Sequence, residues 1–365
     1  MVIYMLVSLL FLVILLIIIL ITLIILSPGK TNPFKDKHGK ILKNSTSVII
    51  KKTIGGIKQS LIIRGENMGN PVLLFLHGGP GTSEYSLLRY LNLDIEDIFT
   101  VCYWEQRGAG MSYNKNIHKE TMNLEQMISD TIAVTDYLRY KFNKKKIYIM
   151  GHSWGTFLGS YAVNKRPDLY HSYIGIGQMG SIIDSEEEIT DFIMTTASAK
   201  KDKKALKKME LFIKNGTDLS ESLKYQLTKT KYTTKYKGGL LHSSSSFFIL
   251  YKAFILCREY TLRDKLNTIL GSKFSMENLF KCCFENDLNE KIPEQRIPVY
   301  IMNGIYDYQT TYNQAKKYFD NLKAPVKKFY TLENSAHSPL FEEQGKFKNI
   351  LINEVLKENI EEILK

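Results

Sequence analysis

The chain has 365 residues, 44% of them hydrophobic, and a formal net charge of +12. That length and apolar content suit one large α/β domain with an insertion, or two domains. The lysines that carry the charge come without a nucleic-acid-binding motif, so no nucleic-acid partner is expected. Cys102 and Cys257 stand alone and Cys282 and Cys283 are adjacent, which gives neither a disulfide framework nor metal-ligand spacing and fits a reducing compartment.

Residues Val2 to Leu26 are almost wholly apolar, with Tyr4, Ser8 and Thr22 as mild exceptions. A helix of about 25 residues spans a hydrocarbon core of roughly 30 Å with some tilt. No Lys or Arg precedes the run, and it passes straight into Ser27-Pro28-Gly29-Lys30. A retained single-pass anchor is therefore expected, with a cleaved signal as the alternative, and the lipid bilayer is a partner through residues 2–26. Lys30, Lys35, Lys37, Lys40 and Lys43 all follow the run, which places the bulk of the chain in the cytoplasm by the positive-inside rule. These lysines suit anionic headgroups. Lys144-Lys145-Lys146 and the run Lys200–Lys208 read as solvated surface.

After a polar linker over residues 30–46, Ser47–Lys52 and Ile57–Arg64 flank Gly55-Gly56 as a hairpin. Pro71–Leu76, Phe99–Trp104 and Ile147–Met150 are short apolar runs suited to strands buried on both faces. Ser172–Gly177, Pro298–Met302 and Val326–Leu332 continue the series. Helical stretches alternate with them: a short one within Glu84–Ile98, Asn123–Phe142 with Asn123 as N-cap, and Thr156–Lys165. The expected fold is a mostly parallel sheet covered by helices. From about Gly180 to Gln295 the alternation stops and helical patterns dominate, which suits an inserted helical cap. Phe247, Phe248, Tyr251 and Phe254 read mainly as that cap's own core, and Ser243–Ser246 as a loop. The expected organisation is an anchor over 1–29, a linker over 30–46, a core over 47–180 and 296–365, and a cap over 181–295.

Gly151-His152-Ser153-Trp154-Gly155 stands between a strand and a helix. G-x-S-x-G in that context is a nucleophile elbow, a strained turn that lifts the Ser153 hydroxyl above the sheet. His77-Gly78-Gly79-Pro80-Gly81 follows another strand, where a Gly-rich turn exposes backbone N–H groups; the Gly79 and Trp154 N–H groups are the expected oxyanion donors. Asp307 and His337 lie just past the last two strands, and Ser153, Asp307, His337 is the chain order of this elbow's triad. In that constellation His337 is the general base, Asp307 its orienter and Ser153 the nucleophile.

HGGPG at 77–81, Trp104-Glu105-Gln106-Arg107-Gly108-Ala109-Gly110-Met111-Ser112, GHSWGT at 151–156, Gly-x-x-Asp at 304–307 and Ala-His at 336–337 together resemble the proline iminopeptidase group of α/β-hydrolases. The resemblance covers about residues 47–180 and 293–365. It implies a serine aminopeptidase with a helical cap that cleaves N-terminal residues, often proline, from short peptides. Two positions depart from the group's usual pattern: Glu105 replaces Asp, and His152 replaces Gly. The group holds the substrate's amino group with cap glutamates; Glu186, Glu187, Glu188, Glu259 and Glu285 are the candidates here, led by Glu186, Glu259 and Glu285. A small ester is the alternative substrate, for an esterase or lipase-like hydrolase on the same triad, and a silent binding protein of the same fold is the third reading. No cofactor is expected, since Ser, His and Asp suffice.

Overall fold

The structure, a computed structural model, describes residues 2–214, 222–243 and 246–357. Of the Ser243–Ser246 tract, Ser244 and Ser245 lie outside the described residues, as does the side chain of Phe247. The N-terminal run forms helix α1 (Val2–Ile25), in which no residue is buried.

Eight strands form one sheet in the order β1-β2-β4-β3-β5-β6-β7-β8. The hairpin β1 (Thr46–Ile54) and β2 (Ile57–Gly65) pairs antiparallel around Gly55-Gly56. β2 pairs antiparallel with β4 (Thr100–Glu105), and every pairing after that is parallel. β3 (Val72–Leu76), β5 (Ile147–His152), β6 (Tyr170–Ile176), β7 (Val299–Gly304) and β8 (Lys327–Leu332) complete the sheet. The continuous apolar runs are explained by burial on both faces. Leu74, Leu76 and Ile149 point into one core, while Leu73, Phe75 and Met150 point into the other.

Between the strands run α2 (Tyr85–Tyr90), α3 (Leu124–Lys141) and α4 (Trp154–Lys165). The Asn123 side chain caps α3 by accepting from the Gln126 N–H at 2.9 Å. β6 and β7 are separated by a helical insert: α5 (Ile182–Ala199), α6 (Lys203–Lys214), α7 (Leu223–Lys235), α8 (Ser246–Leu256), α9 (Leu262–Leu279), α10 (Lys281–Glu285) and α11 (Leu288–Lys291). The first three close a small core of their own around Ile189, Ile193, Met209, Tyr225 and Tyr232. α8 instead turns Ala253, and the chain just after it Cys257, into the same core as Leu73, Phe75 and Met150, and leaves Phe248 and Tyr251 exposed. The expectation that all these aromatics build the insert's core is therefore corrected for Phe248 and Tyr251. α12 (Tyr312–Asn321), α13 (Pro339–Glu342) and α14 (Gln344–Ile350) pack around β7 and β8.

Candidate active site

β5 ends at His152 and α4 begins at Trp154, leaving Ser153 alone in the turn at φ 55° and ψ −122°. A non-glycine residue at positive φ is strained, and such strain persists only where the surroundings enforce it. Here the enforcement is close packing. A Cβ on Gly155 would lie 2.0 Å from the Leu76 carbonyl oxygen, and one on Gly151 would lie 2.2 Å from the Gly155 carbonyl oxygen. Only glycine at both positions lets the first turn of α4 sit against the ends of β3 and β5. The free N–H groups of that turn then lie beneath the Ser153 hydroxyl, where they favour negative charge.

Asp307 and His337 follow the adjacent ends of β7 and β8, which pair at Gly304 and Leu332. His337 Nδ1 lies 2.9 Å from Asp307 Oδ2. Oδ1 of the same carboxylate accepts from the Gln309 and Thr310 N–H groups at 2.8 and 3.1 Å. An ionised carboxylate can only accept, so the proton belongs on Nδ1, and Nε2 keeps its lone pair for a hydroxyl. Both side chains are buried. The His337 loop is tied to the insert: the His337 N–H donates to the Gly239 carbonyl at 3.2 Å. Glu342 accepts from the Ala336, His242 and Ser243 N–H groups, each at 2.8 Å. Among the described residues no hydrogen bond joins the Ser153 hydroxyl to His337; such bonds commonly tighten in the substrate complex.

The Gly-rich loop after β3 is locked to the elbow by Gln106. Its amide donates to the His77 carbonyl at 3.0 Å and accepts from the Trp154 indole N–H at 3.0 Å. Burial lowers the His77 pKa against the pull of Glu105. Neutral His77 donates from Nδ1 to the Gly78 carbonyl at 2.8 Å and accepts the Gln106 N–H at Nε2, 3.2 Å away. Glu105 receives the hydroxyls of Ser83 and Tyr260 at 2.6 Å each and the Met111 N–H at 3.2 Å. It thus knits the loop to the insert. Gly79, Ser153 and Trp154 border a cavity of about 110 Å³, closed from the insert side by Lys229, Met276 and Phe280.

The three leading glutamates fall in different places. Glu186 is buried beside this cavity, accepting the Tyr225 hydroxyl at 2.8 Å and paired with Lys229. Glu259 lines a separate cavity of about 280 Å³ between α2 and α8, with Arg89 at 3.7 Å; that larger cavity includes none of Ser153, Asp307 or His337. Glu285 is exposed at the end of α10. Glu188 is bonded by the Gln314 amide at 2.7 Å, and Glu187 is exposed.

The pattern of the alpha/beta hydrolase fold matches residues 71–204. The Bacillus subtilis protein named "Probable aminopeptidase YbaC" is 32% identical over 309 residues, covering 85% of this chain and 96% of that one. The chain belongs to the proline iminopeptidase group of α/β-hydrolases. A proline iminopeptidase of Heyndrickxia coagulans is 25% identical over 295 residues, covering 78% of this chain and 91% of its own. The crystal structure of the Mycobacterium smegmatis proline iminopeptidase superposes with a TM-score of 0.63 at 14% identity, over 86% of this chain and 99% of that one. This α/β-hydrolase is accordingly a serine hydrolase.

Sequence reasoning missed several members of the site. Thr310 Oγ1 bridges the Gly177 carbonyl (2.9 Å) and Asp307 Oδ2 (3.1 Å); its place three residues after Asp307, in an Asx turn, was the available signal. Glu84 contacts His152, 68 positions away, and no local pattern announces that pair. Lys229 is one of many lysines in α7, and nothing in the sequence sets it apart.

Proposed function

We propose that this hydrolase is a membrane-tethered serine aminopeptidase, releasing N-terminal residues, proline among them, from short peptides through an acyl-enzyme on Ser153. One observation carries the reading: the strained Ser153 stands at the end of β5 while the bonded Asp307–His337 pair stands at the ends of β7 and β8. The names of the relatives support the peptide substrate.

His337 Nε2 takes the Ser153 proton as Oγ bonds to the substrate carbonyl carbon. Asp307 holds the tautomer and stabilises the imidazolium that forms. The oxyanion is received by the Gly79 and Trp154 N–H groups, each such donor contributing about 3 kcal/mol to the transition state. The C–N bond breaks as His337 passes its proton to the leaving amine. Water, deprotonated by His337, then releases the acyl group and restores Ser153. Residues 181–295 act as the cap that shuts this cavity from water, and its small volume suits a single N-terminal residue.

A substrate α-ammonium needs a carboxylate once buried, and Glu186 lies buried behind Lys229, which lines the cavity. A second reading, hydrolysis of a small ester, is favoured by the wall itself, because the residue that reaches it is the cation Lys229 rather than a free carboxylate. Comparing a prolyl chromogenic amide, an alanyl amide and a short-chain ester decides between the two, with Ser153→Ala as control. Cleavage of the prolyl amide that is lost when its amine is acetylated supports the aminopeptidase; ester cleavage alone overturns it.

α1 is the proposed tether. Its 24 residues include an 18-residue stretch with a mean hydropathy of 3.5, and at about 1.5 Å each they reach roughly 36 Å, enough for a bilayer. The lysines after it favour a cytoplasmic catalytic domain. Digestion of that domain by protease added outside intact cells would overturn this orientation.

A further inference from the structure

Helix α1 does not end in a free linker. The Gly29 N–H donates to the Arg258 carbonyl at 3.0 Å. The buried Lys265 ammonium donates both to Ser27 Oγ at 2.8 Å and to the Ile255 carbonyl at 2.6 Å. One ammonium therefore joins the foot of α1, the end of α8 and the first turn of α9. Gly29 lies against Thr261, the residue that caps α9, so closely that a Cβ there would stand 2.6 Å from the Thr261 methyl.

The outer faces of the two helices that meet at this point are apolar. On α8, Phe248 and Tyr251 stand three residues apart and are exposed, Phe248 to 60%, and Leu256 is exposed at the helix end. On α9, Leu266, Ile269 and Leu270 recur at helical spacing and are exposed, Ile269 to 61%. The opposite faces are already used, Ala253 of α8 in the core with Leu73 and Phe75, and Gly271 and Ser275 of α9 against the Gly-rich loops. Large apolar side chains exposed on two helices joined at Lys265 and Ile255 mark a candidate interaction site. Exposed cations rim them: Lys30, Lys252, Arg258 and Arg263. An apolar face edged with Lys and Arg is the composition of a helix that lies in the headgroup region of an anionic leaflet.

We infer that the α8–α9 face, continuous with the foot of α1, lies on the anionic bilayer surface in which α1 is anchored. This rests on the anchor reading above. The short tether through Ser27 and Gly29 keeps α8 and α9 at the interface, so their apolar side chains leave water without a further search. α9 also reaches the Ser153 cavity through Met276, so the bilayer holds one wall of the active site.

The test uses the full chain in vesicles of phosphatidylglycerol and phosphatidylcholine. Single cysteines at Phe248→Cys, Ile269→Cys, Ile14→Cys and Tyr140→Cys carry an environment-sensitive fluorophore, on a Cys282→Ser background because the other three native cysteines are buried. Tyr140, 89% exposed on α3, is the aqueous reference. Probes at 248 and 269 are expected to shift to the blue and to be quenched at least about twofold by shallow spin-labelled lipid, and the probe at 140 neither. If 248 and 269 behave like 140 while the probe at 14 is quenched by deep spin labels, the anchor stands and the docked face is refuted, leaving the face to water or to a protein partner. If the probe at 14 is not quenched either, the anchor falls and this inference with it.

Discussion

His152 Nδ1 lies 2.5 Å from Glu84 Oε1, and its Nε2 lies 3.0 Å from the carbonyl oxygen of His337. Both principal partners are acceptors, so these contacts favour protons on both ring nitrogens, the imidazolium form, held against the loop that carries His337. Burial alone would lower its pKa; the charge and hydrogen bond of Glu84, helped by the His337 carbonyl and Asp307, outweigh it and raise the pKa. The two histidine rings stand 4.7 Å apart between centroids, so this cation faces His337 directly.

The raised pKa gives the pair a defined pH signature. The charged form is favoured in the fold, so its stabilisation is fully present below the unfolded value of about 6.5 and is lost as pH rises through the higher folded value. Glu84→Gln should therefore cost about 2 kcal/mol near pH 6 and markedly less near pH 9. Urea unfolding of the detergent-solubilised chain at the two pH values reads this directly. An equal loss at both would mean that His152 is neutral in the fold.

Ser153→Ala should lower kcat on any cleaved substrate by about 10⁴–10⁶ with little change in KM, because it removes the proposed nucleophile. Asp307→Asn should cost about 10⁴, because an amide that donates toward Nδ1 turns the imidazole to the wrong tautomer. Labelling by an active-site phosphonate should vanish in the first variant. Labelling that persists in Ser153→Ala would place the nucleophile elsewhere.

Gln106 is predicted to matter as much to the proposed oxyanion loop as to stability. Gln106→Leu leaves the buried His77 carbonyl and the Trp154 indole N–H without their partners, a loss of about 2–4 kcal/mol. The Gly-rich loop and the elbow are then no longer cross-linked. The expected result is an earlier urea midpoint together with a kcat lowered at least about tenfold. Gln106→Glu, which restores an acceptor for the indole but loses the donor to His77, should fall between.

The strands and the elbow were legible because their causes are local. Two-sided burial writes itself as runs such as Pro71–Leu76, and the strained turn demands glycines two residues either side of Ser153. The boundaries of β5 and β8 accordingly fall within two residues of the expected ones. The insert was legible only as a helical region. Its contribution to the site is made by pairs such as Glu186 with Lys229, 43 positions apart on separate helices, where each member alone looks like any surface charge. Glu259 shows the converse: a glutamate in a suitable stretch is carried by α2–α8 packing to a different cavity.

The Glu186–Lys229 pair offers the sharpest division between a peptide amine and an ester. Replacing one member alone would leave the other charge buried and destabilise the fold by about 3–5 kcal/mol, which would hide any effect on substrate. Glu186→Gln with Lys229→Met removes both charges at similar volume and keeps a partner for the Tyr225 hydroxyl, now Nε2 or Oε1 of the glutamine. If an incoming α-ammonium displaces Lys229 from Glu186, the double variant should raise KM for prolyl and alanyl amides about tenfold or more. The short-chain ester, which carries no cation, should keep its kcat/KM within about twofold. Amide and ester losses that run in parallel would mean the pair only supports the cavity wall and that the amine is held elsewhere.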